Sequence, residues 1–447
     1  MARKLSRRGM LRATGAAGVA GLAGCTDALG GGGGSMKIGV LQPVSGDLGY
    51  YGKQALWGFF SGLAYKGDTD PVEESTTGSY TVTAGDTDYE LLVRDTQFSA
   101  DTAQSAATDL VENESVDMLF GTASSGAAGR VIDTVVDTAD VPFMAGPAAS
   151  AGISSNEGTC SDIVFRASEN TAMDARSGGK YVAQETDISS VYLFGADYSF
   201  GRAVVNNYEQ VLSNNGVEIA GKRFVPQGYS EWEGLLDNAE EAGADGVVGG
   251  FTVATLPAMF TSYLQGDYSY SVFGGLATRI TNAVVGQTLQ QALGEPLTQE
   301  KIDNSGLGPF TTRYHWNQYD NDINSSFVES YTDAYGTVPD LFSSGTFTAA
   351  SAIVQAVQSA GSTSGSDVAE ALRGMTVTDT PKGEDGYTFQ EYNNQARSAM
   401  TVADLAPTSD EWSDSWQAAI QPGEPLATIG KDETTIPADA PGMNCSL

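Results

Sequence analysis

Residues 116–144 read VDMLFGTASSGAAGRVIDTVVDTADVPFM. Val116–Phe120 is an apolar run too short for a helix and of the right length for a buried strand. A Ser/Gly turn leads into a helical stretch, Gly126–Thr138, and Val141–Met144 is a second short apolar run. Strand, helix and strand in that order make a unit whose two strands lie parallel and are covered on both faces. Toward the N-terminus the same rhythm holds: strand Lys37–Gln42 (KIGVLQ), a helix from about Tyr51 to Tyr65, strand Glu90–Arg94, then Ser99 as N-cap of a helix to about Asn113. Toward the C-terminus the rhythm restarts after about Arg166. Helices at Thr171–Glu185, Phe200–Asn214, Glu231–Ala242 and Ala254–Leu264 alternate with strands at Val191–Gly195, Val217–Phe224, Gly246–Gly250 and Tyr270–Gly274. Helices at Ile323–Tyr335, Thr346–Ser359 and Ser366–Arg373, and a strand around Ala399–Ala403, remain to be added to one unit or the other. The fold class is therefore α/β, with two doubly wound parallel sheets and a cleft that faces the carboxyl ends of both.

The first 25 residues read as an address. Arg3, Lys4, Arg7, Arg8 and Arg12 precede a short Ala/Gly stretch that is too weakly apolar to span a membrane. Ser6–Arg12 (SRRGMLR) resembles a twin-arginine export signal, and Leu22-Ala23-Gly24-Cys25 resembles a lipobox whose cysteine carries the lipid. Residues 26–35, with five consecutive glycines, read as a flexible tether. Cys160 and Cys445 are then left. Outside the cell they pair most simply with each other, the alternative being two separate buried thiols.

Charge narrows the function. The 447 residues carry 56 acidic against 23 basic side chains and one histidine, a formal charge of −33. Loss of residues 1–24 leaves 18 basic against 56 acidic side chains, a charge of −38. Such a field repels phosphate backbones, so nucleic acid is not an expected partner. The acid is spread along the chain rather than gathered in a tail, which fits a surface adapted to molar salt and a fold that loosens at low salt. A single histidine, His315, leaves little room for zinc sites or histidine-assisted nucleophiles, and it is read as a surface or packing residue. Gly216–Lys222 has phosphate-loop spacing but lacks the following Ser/Thr, and no G-x-S-x-G elbow occurs. No enzyme, cofactor or metal site is expected.

The loops that follow strands carry the binding candidates. Gly121–Gly126 (GTASSG) and Gly146–Ser150 (GPAAS) offer free N–H groups, hydroxyls and small side chains; without a ligand, such serines serve as helix caps. Asp197–Gly201 and Gly249–Thr252 lie at strand ends of the second unit.

Ile38–Gly52 (IGVLQPVSGDLGYYG), Phe120–Gly126, Val141–Ser150, Phe165-Arg166, Asp197–Gly201 and Ala244–Gly250 (ADGVVGG) resemble, in that order and spacing, the substrate-binding proteins of branched-chain amino acid ABC transporters. The resemblance implies a periplasmic-binding-protein type I fold, two lobes joined by three hinge crossovers near residues 167, 311 and 395. The N-terminal lobe would comprise 36–166 and 311–395, and the C-terminal lobe 167–310 and 396–447. It also implies that Ala123, Ser124, Ser125, Ala148, Ala149 and Ser150 hold a ligand carboxylate, that Tyr51 covers the ligand, and that Phe200 and Phe251 face it from the second lobe. Leu276 stands where amino-acid binders place an acid for the ammonium group, so Asp197 or another acid must substitute, or the ligand has no ammonium. The implied function is a monomeric lipoprotein on the extracellular face of the cytoplasmic membrane. It would capture a branched-chain or related small amino acid and deliver it to an ABC permease. Short amides, urea and aliphatic or aromatic acids are alternatives, as is a ligand-sensing domain for a separate membrane receptor.

Overall fold

The computed structural model describes residues 34–275 and 278–447. Cys25, with the leader, and Leu276 lie outside the described residues. The first sheet contains β1 (Ser35–Gln42), β2 (Gly78–Ala84), β3 (Thr87–Asp95), β4 (Met118–Gly121), β5 (Phe143–Ala145) and β6 (Val164–Phe165), in the order β2-β3-β1-β4-β5-β6. All neighbours are parallel except β2 and β3. Tether residue Ser35 already belongs to β1, which pairs with β3 in register from Ser35↔Asp88. Ser99 caps the helix Ala100–Glu112, its hydroxyl accepting the Thr102 N–H at 3.3 Å.

The second sheet contains β7 (Ser190–Ala196), β8 (Glu218–Val225), β9 (Gly246–Gly250), β10 (Ser271–Gly275) and β11 (Leu307–Thr312), all parallel. Between β11 and the last strands lies a small antiparallel sheet of β12 (Thr376–Val377), β13 (Tyr387–Phe389) and β14 (Ala396–Ser398). β15 (Met400–Pro407) and β16 (Ile420–Ile429) then extend the second sheet antiparallel to β11, in the order β16-β15-β11-β10-β9-β7-β8. The parallel strands follow the apolar rhythm except β6, only two residues long, and β11, whose LGPFTT is interrupted by a glycine and a proline. Other omitted elements have little apolar contrast, among them β2, of alternating burial on a sheet edge; the Gln/Thr-rich helix Arg279–Leu293; and β16, which carries two prolines and lies on an edge, where a missing N–H is tolerated.

The late helices return to the first sheet. Helix Gly49–Gly67 packs against Leu341–Ala360, and Gly58 and Gly62 let the two backbones meet. A β-carbon on Gly58 would stand 2.2 Å from the Ser343 carbonyl oxygen. Tyr387, Phe389 and Ala396 of the small sheet join the core beneath β1, β3 and β4, so this sheet belongs to the first unit.

The chain passes between the units three times: after β6, after Thr312 at the end of β11, and at Ala399 between β14 and β15. Two buried ion pairs and one unpaired guanidinium hold these passages. On the first passage Glu169 accepts Lys382 Nζ at 2.6 Å and the Tyr387 hydroxyl at 2.5 Å. Burial alone would raise the Glu169 carboxyl, but Lys382, Tyr387 and Ser398 outweigh it and hold it below the usual range. Asp174, in the helix Thr171–Asp174 that follows the first passage, takes Arg313 of the second. Arg166 opens the first passage and bridges to Gln395 beside β14. Cys160 and Cys445 are joined by a disulfide, which ties the C-terminal segment beyond β16 to the loop before β6. Along its way that segment also touches the second unit, where Gln210 Nε2 donates to the Pro441 carbonyl at 2.7 Å.

His315 is buried rather than on the surface. It stacks on Trp316 with ring centroids 3.7 Å apart and lies edge-on to Trp416 at 5.1 Å, so its place is in packing. Burial pulls its pKa from 6.5 down to about 3, against a weaker opposing effect of the Asn317 side chain.

Candidate functional site

The strand-end loops of both units face one cavity of about 130 Å³. That is room for a small organic molecule rather than for one trapped water. β4 leads to Ala123 and Ser125, β5 to Pro147 and Ala149, β7 to Tyr198 and Phe200, β9 to Phe251 and Thr252, and β10 to Gly275 and Thr278; all ten line it. Gly121 makes the first of these loops possible. Its φ of +143° suits glycine, and a β-carbon there would stand 2.2 Å from the Leu41 carbonyl oxygen.

Of the expected site residues, Tyr51, Ala123, Ser125, Ala149, Phe200 and Phe251 line the cavity. Ser124, Ala148 and Ser150 stand behind the wall. The Ser124 hydroxyl is used as a helix cap, accepting the Ala127 N–H at 3.4 Å. Ser150 donates its N–H to the Ser125 hydroxyl at 3.0 Å and its carbonyl accepts Arg166 Nη1 at 2.6 Å. Asp197 is half exposed and turned to Arg202, 2.5 Å away on the following helix turn, so it does not substitute for an acid at the cavity.

The acid that does reach the cavity is Asp174, which the strand-end reading missed. Arg313 Nε donates to its Oδ1 at 2.8 Å and Nη2 to its Oδ2 at 2.5 Å, with both side chains 9% exposed. A bidentate, dry pair of this kind is strong and neutral overall. The two residues are 139 positions apart, and no local pattern joins them.

The rest of the wall is aromatic and hydroxylic. Tyr51, Phe98, Tyr198, Phe200, Phe251 and Phe342 supply faces and edges for an apolar ligand body. Burial, offset by the Val253 N–H, pushes the Tyr51 hydroxyl up to about 12. Thr252 lines the same space, and its Oγ1 is buried with no hydrogen-bond partner among the described residues. Two contacts join the units next to lining residues. Val253 N–H donates to Tyr51 Oη at 3.1 Å, and Asp340 Oδ2 accepts both the Arg279 N–H at 3.2 Å and the Tyr50 hydroxyl at 3.0 Å. Among the described residues no group of three or more His, Cys, Asp or Glu side chains is placed to hold a metal ion.

A family profile described as periplasmic binding protein matches residues 35–410, and the chain belongs to that family. Its fold is the two-lobed type I fold of that family. A comparison with curated protein sequences gives no match. Solved structures with the same fold include a periplasmic binding protein from Burkholderia mallei, 17% identical, TM-score 0.71, covering 92% of this chain and 99% of that one. Another is an ABC-type branched-chain amino acid transporter protein from Rhodopseudomonas palustris, 22% identical, TM-score 0.67, covering 90% and 98%. A third is an ABC-transporter solute-binding protein from R. palustris in complex with benzoate, 16% identical, TM-score 0.69, covering 93% and 100%.

Proposed function

We propose that the chain is the solute-binding component of an ABC importer, held at the outer face of the cytoplasmic membrane by lipid on Cys25. We further propose that it carries a small carboxylate with an aromatic or branched apolar body. The observation that carries this reading is the composition of the described cavity wall: seven aromatic rings, the hydroxyl residues Ser125 and Thr252, and a single acid, Asp174, already taken bidentately by Arg313. An α-ammonium group has no free carboxylate among the described lining residues, whereas a carboxylate meets Ser125 and the cavity face of Arg313. Aromatic faces suit a planar or branched body, and benzoate is the ligand of one structural relative.

In this reading the units 36–166 with 311–395 and 167–310 with 396–447 act as lobes. They swing about the three passages and present the closed, loaded shape to the permease without chemical turnover. A second reading, a branched-chain amino acid, is favoured by one feature: an Asp174 oxygen lies 4.0 Å from where a β-carbon on Gly275 would stand, so an ammonium sharing Asp174 with Arg313 has an approach.

The test is to purify the chain in molar salt, release bound solute by denaturation and identify it by mass spectrometry. Titration calorimetry then follows with benzoate, 4-hydroxybenzoate, 4-methylpentanoate, leucine, valine and the matching amides. Heat from the acids supports the carboxylate reading. Heat from leucine and valine alone shifts it to the amino acid, and silence from every compound overturns the carrier role at this cavity.

A further inference from the structure

Five ionisable side chains are buried around the three passages: Arg166, Arg313 and Lys382 are cations, Glu169 and Asp174 anions. Glu169 is paired with Lys382 and Asp174 with Arg313. Arg166 is the surplus. It is fully buried, and no carboxylate lies within 4.0 Å of it among the described residues. Its guanidinium is spent on neutral acceptors: Nε on Gln395 Oε1 at 2.5 Å, Nη2 on Ser154 Oγ at 2.6 Å, and Nη1 on the carbonyls of Ser150 at 2.6 Å and Ala148 at 3.4 Å. Two further groups complete the inventory. Asp340 is buried but caps the helix Leu341–Ala360 and holds the Arg279 N–H, and His315 is held neutral by burial. Burial, with Arg313 adding to it, lowers the Arg166 pKa to about 9, so the charge persists at neutral pH.

Burying an ion without a counter-ion is costly, and it recurs where something else supplies the opposite charge. Both carbonyls that Arg166 holds belong to the loop Gly146–Ser150. In a trans peptide the N–H points opposite to the preceding carbonyl, so holding the Ala148 oxygen turns the Ala149 N–H away from Arg166. Ala149 lines the cavity, and its N–H has no acceptor in the protein among the described residues, while the N–H groups of Ala148, Ser150 and Ala151 are all used.

We propose that Arg166 is a positioning residue for solute charge: it fixes the Ala148–Ser150 loop with the Ala149 N–H toward the solute, and its uncompensated charge makes the cavity select a monoanion over the neutral amide of the same shape. This rests on the carrier reading of the cavity. In the wall itself Ser125 can donate to acid and amide alike, and the charge of the lining Arg313 is already balanced by Asp174.

The experiment compares benzoate with benzamide and 4-methylpentanoate with 4-methylpentanamide by calorimetry, on the wild type and on two variants. Arg166→Gln removes the charge. Ser154→Asp keeps the guanidinium and gives it a carboxylate beside Nη2. Circular dichroism and thermal melts establish that each variant is folded. The wild type is expected to bind an acid at least about 100-fold more tightly than its amide. Each folded variant is expected to bring that ratio within about tenfold, with amide affinity little changed. A merely structural role would weaken acid and amide alike and leave the ratio standing, which overturns the proposal. Equal wild-type affinity for acid and amide also overturns it while leaving the carrier reading intact. If no acid or amide binds the wild type, both fall. Should Arg166→Gln not fold, the wild-type ratio and Ser154→Asp decide.

Discussion

Replacing Asp174 with asparagine separates the two solute classes by the sign of the effect. The side chain keeps its shape and one acceptor oxygen toward Arg313, but the cavity loses the one negative charge among its described lining residues and Arg313 is left uncompensated. A unit charge acting over about 6 Å at an effective dielectric of about 20 is worth about 3 kcal/mol, roughly 100-fold in Kd. Molar salt weakens this little, because the pair is buried and mobile ions do not reach it. A plain carboxylate such as benzoate should therefore bind up to roughly 100-fold more tightly to Asp174→Asn. Leucine, if the ammonium shares Asp174, should bind more weakly by a similar factor. Breaking a buried pair costs about 3–5 kcal/mol, toward the lower figure here because the amide still accepts one hydrogen bond. The assay is calorimetry at fixed salt, with a thermal melt showing that the variant is folded. If the affinities of both ligands move by less than about threefold in a folded variant, solute does not sit beside this pair and the site is wrong.

Ser125→Ala removes a lining hydroxyl and the acceptor of the Ser150 N–H; solute affinity should fall about 10- to 100-fold, and an unchanged Kd would remove Ser125 from the site. His315 gives a pH signature that its substitution should erase. Its folded pKa of about 3 lies below the ordinary 6.5, so as pH falls the unfolded chain takes the proton first. Stability is then full above about pH 6.5 and is lost as pH falls from there toward about 3, by about 1.4 kcal/mol per unit. Urea unfolding of wild type and His315→Gln between pH 7.5 and 4 should show a steeper loss in the wild type, and parallel curves would refute the assignment. Cys160→Ser opens the link to Cys445 and should cost about 2–5 kcal/mol, read as a lower melting temperature; an unchanged melt would show that the bond does not form in solution.

The parallel core was legible because strands buried on both faces must be short and apolar, as Val116–Phe120 and Gly246–Gly250 are. Edge elements were not, since β2 and β16 satisfy water on one side and carry mixed residues. The same division runs through the site. Phe200 and Phe251 lie close after strand ends and Tyr51 in the first turn of the helix after β1, and the family resemblance singled out all three as residues that line the cavity. Ser124 and Ser125 are indistinguishable as letters, yet the first caps a helix with its hydroxyl and the second lines the cavity. Asp174, Arg313 and Arg166 become a unit only where the three passages converge, at sequence separations that no spacing rule spans. Asp197 illustrates the converse: an acid at the expected strand end, with an arginine one helical turn away that claims it first.

The lone guanidinium of Arg166 lies inside a chain whose formal charge is −33. An anionic solute therefore climbs a repulsive outer potential before it reaches an attractive interior, so the encounter is opposed at long range and the embrace is favoured at short range. Dissolved ions flatten the first and leave the second nearly intact. Capture of an anion should accordingly quicken as salt rises, while the lifetime of the loaded state hardly changes. For an anionic solute that is the reverse of ordinary electrostatic steering.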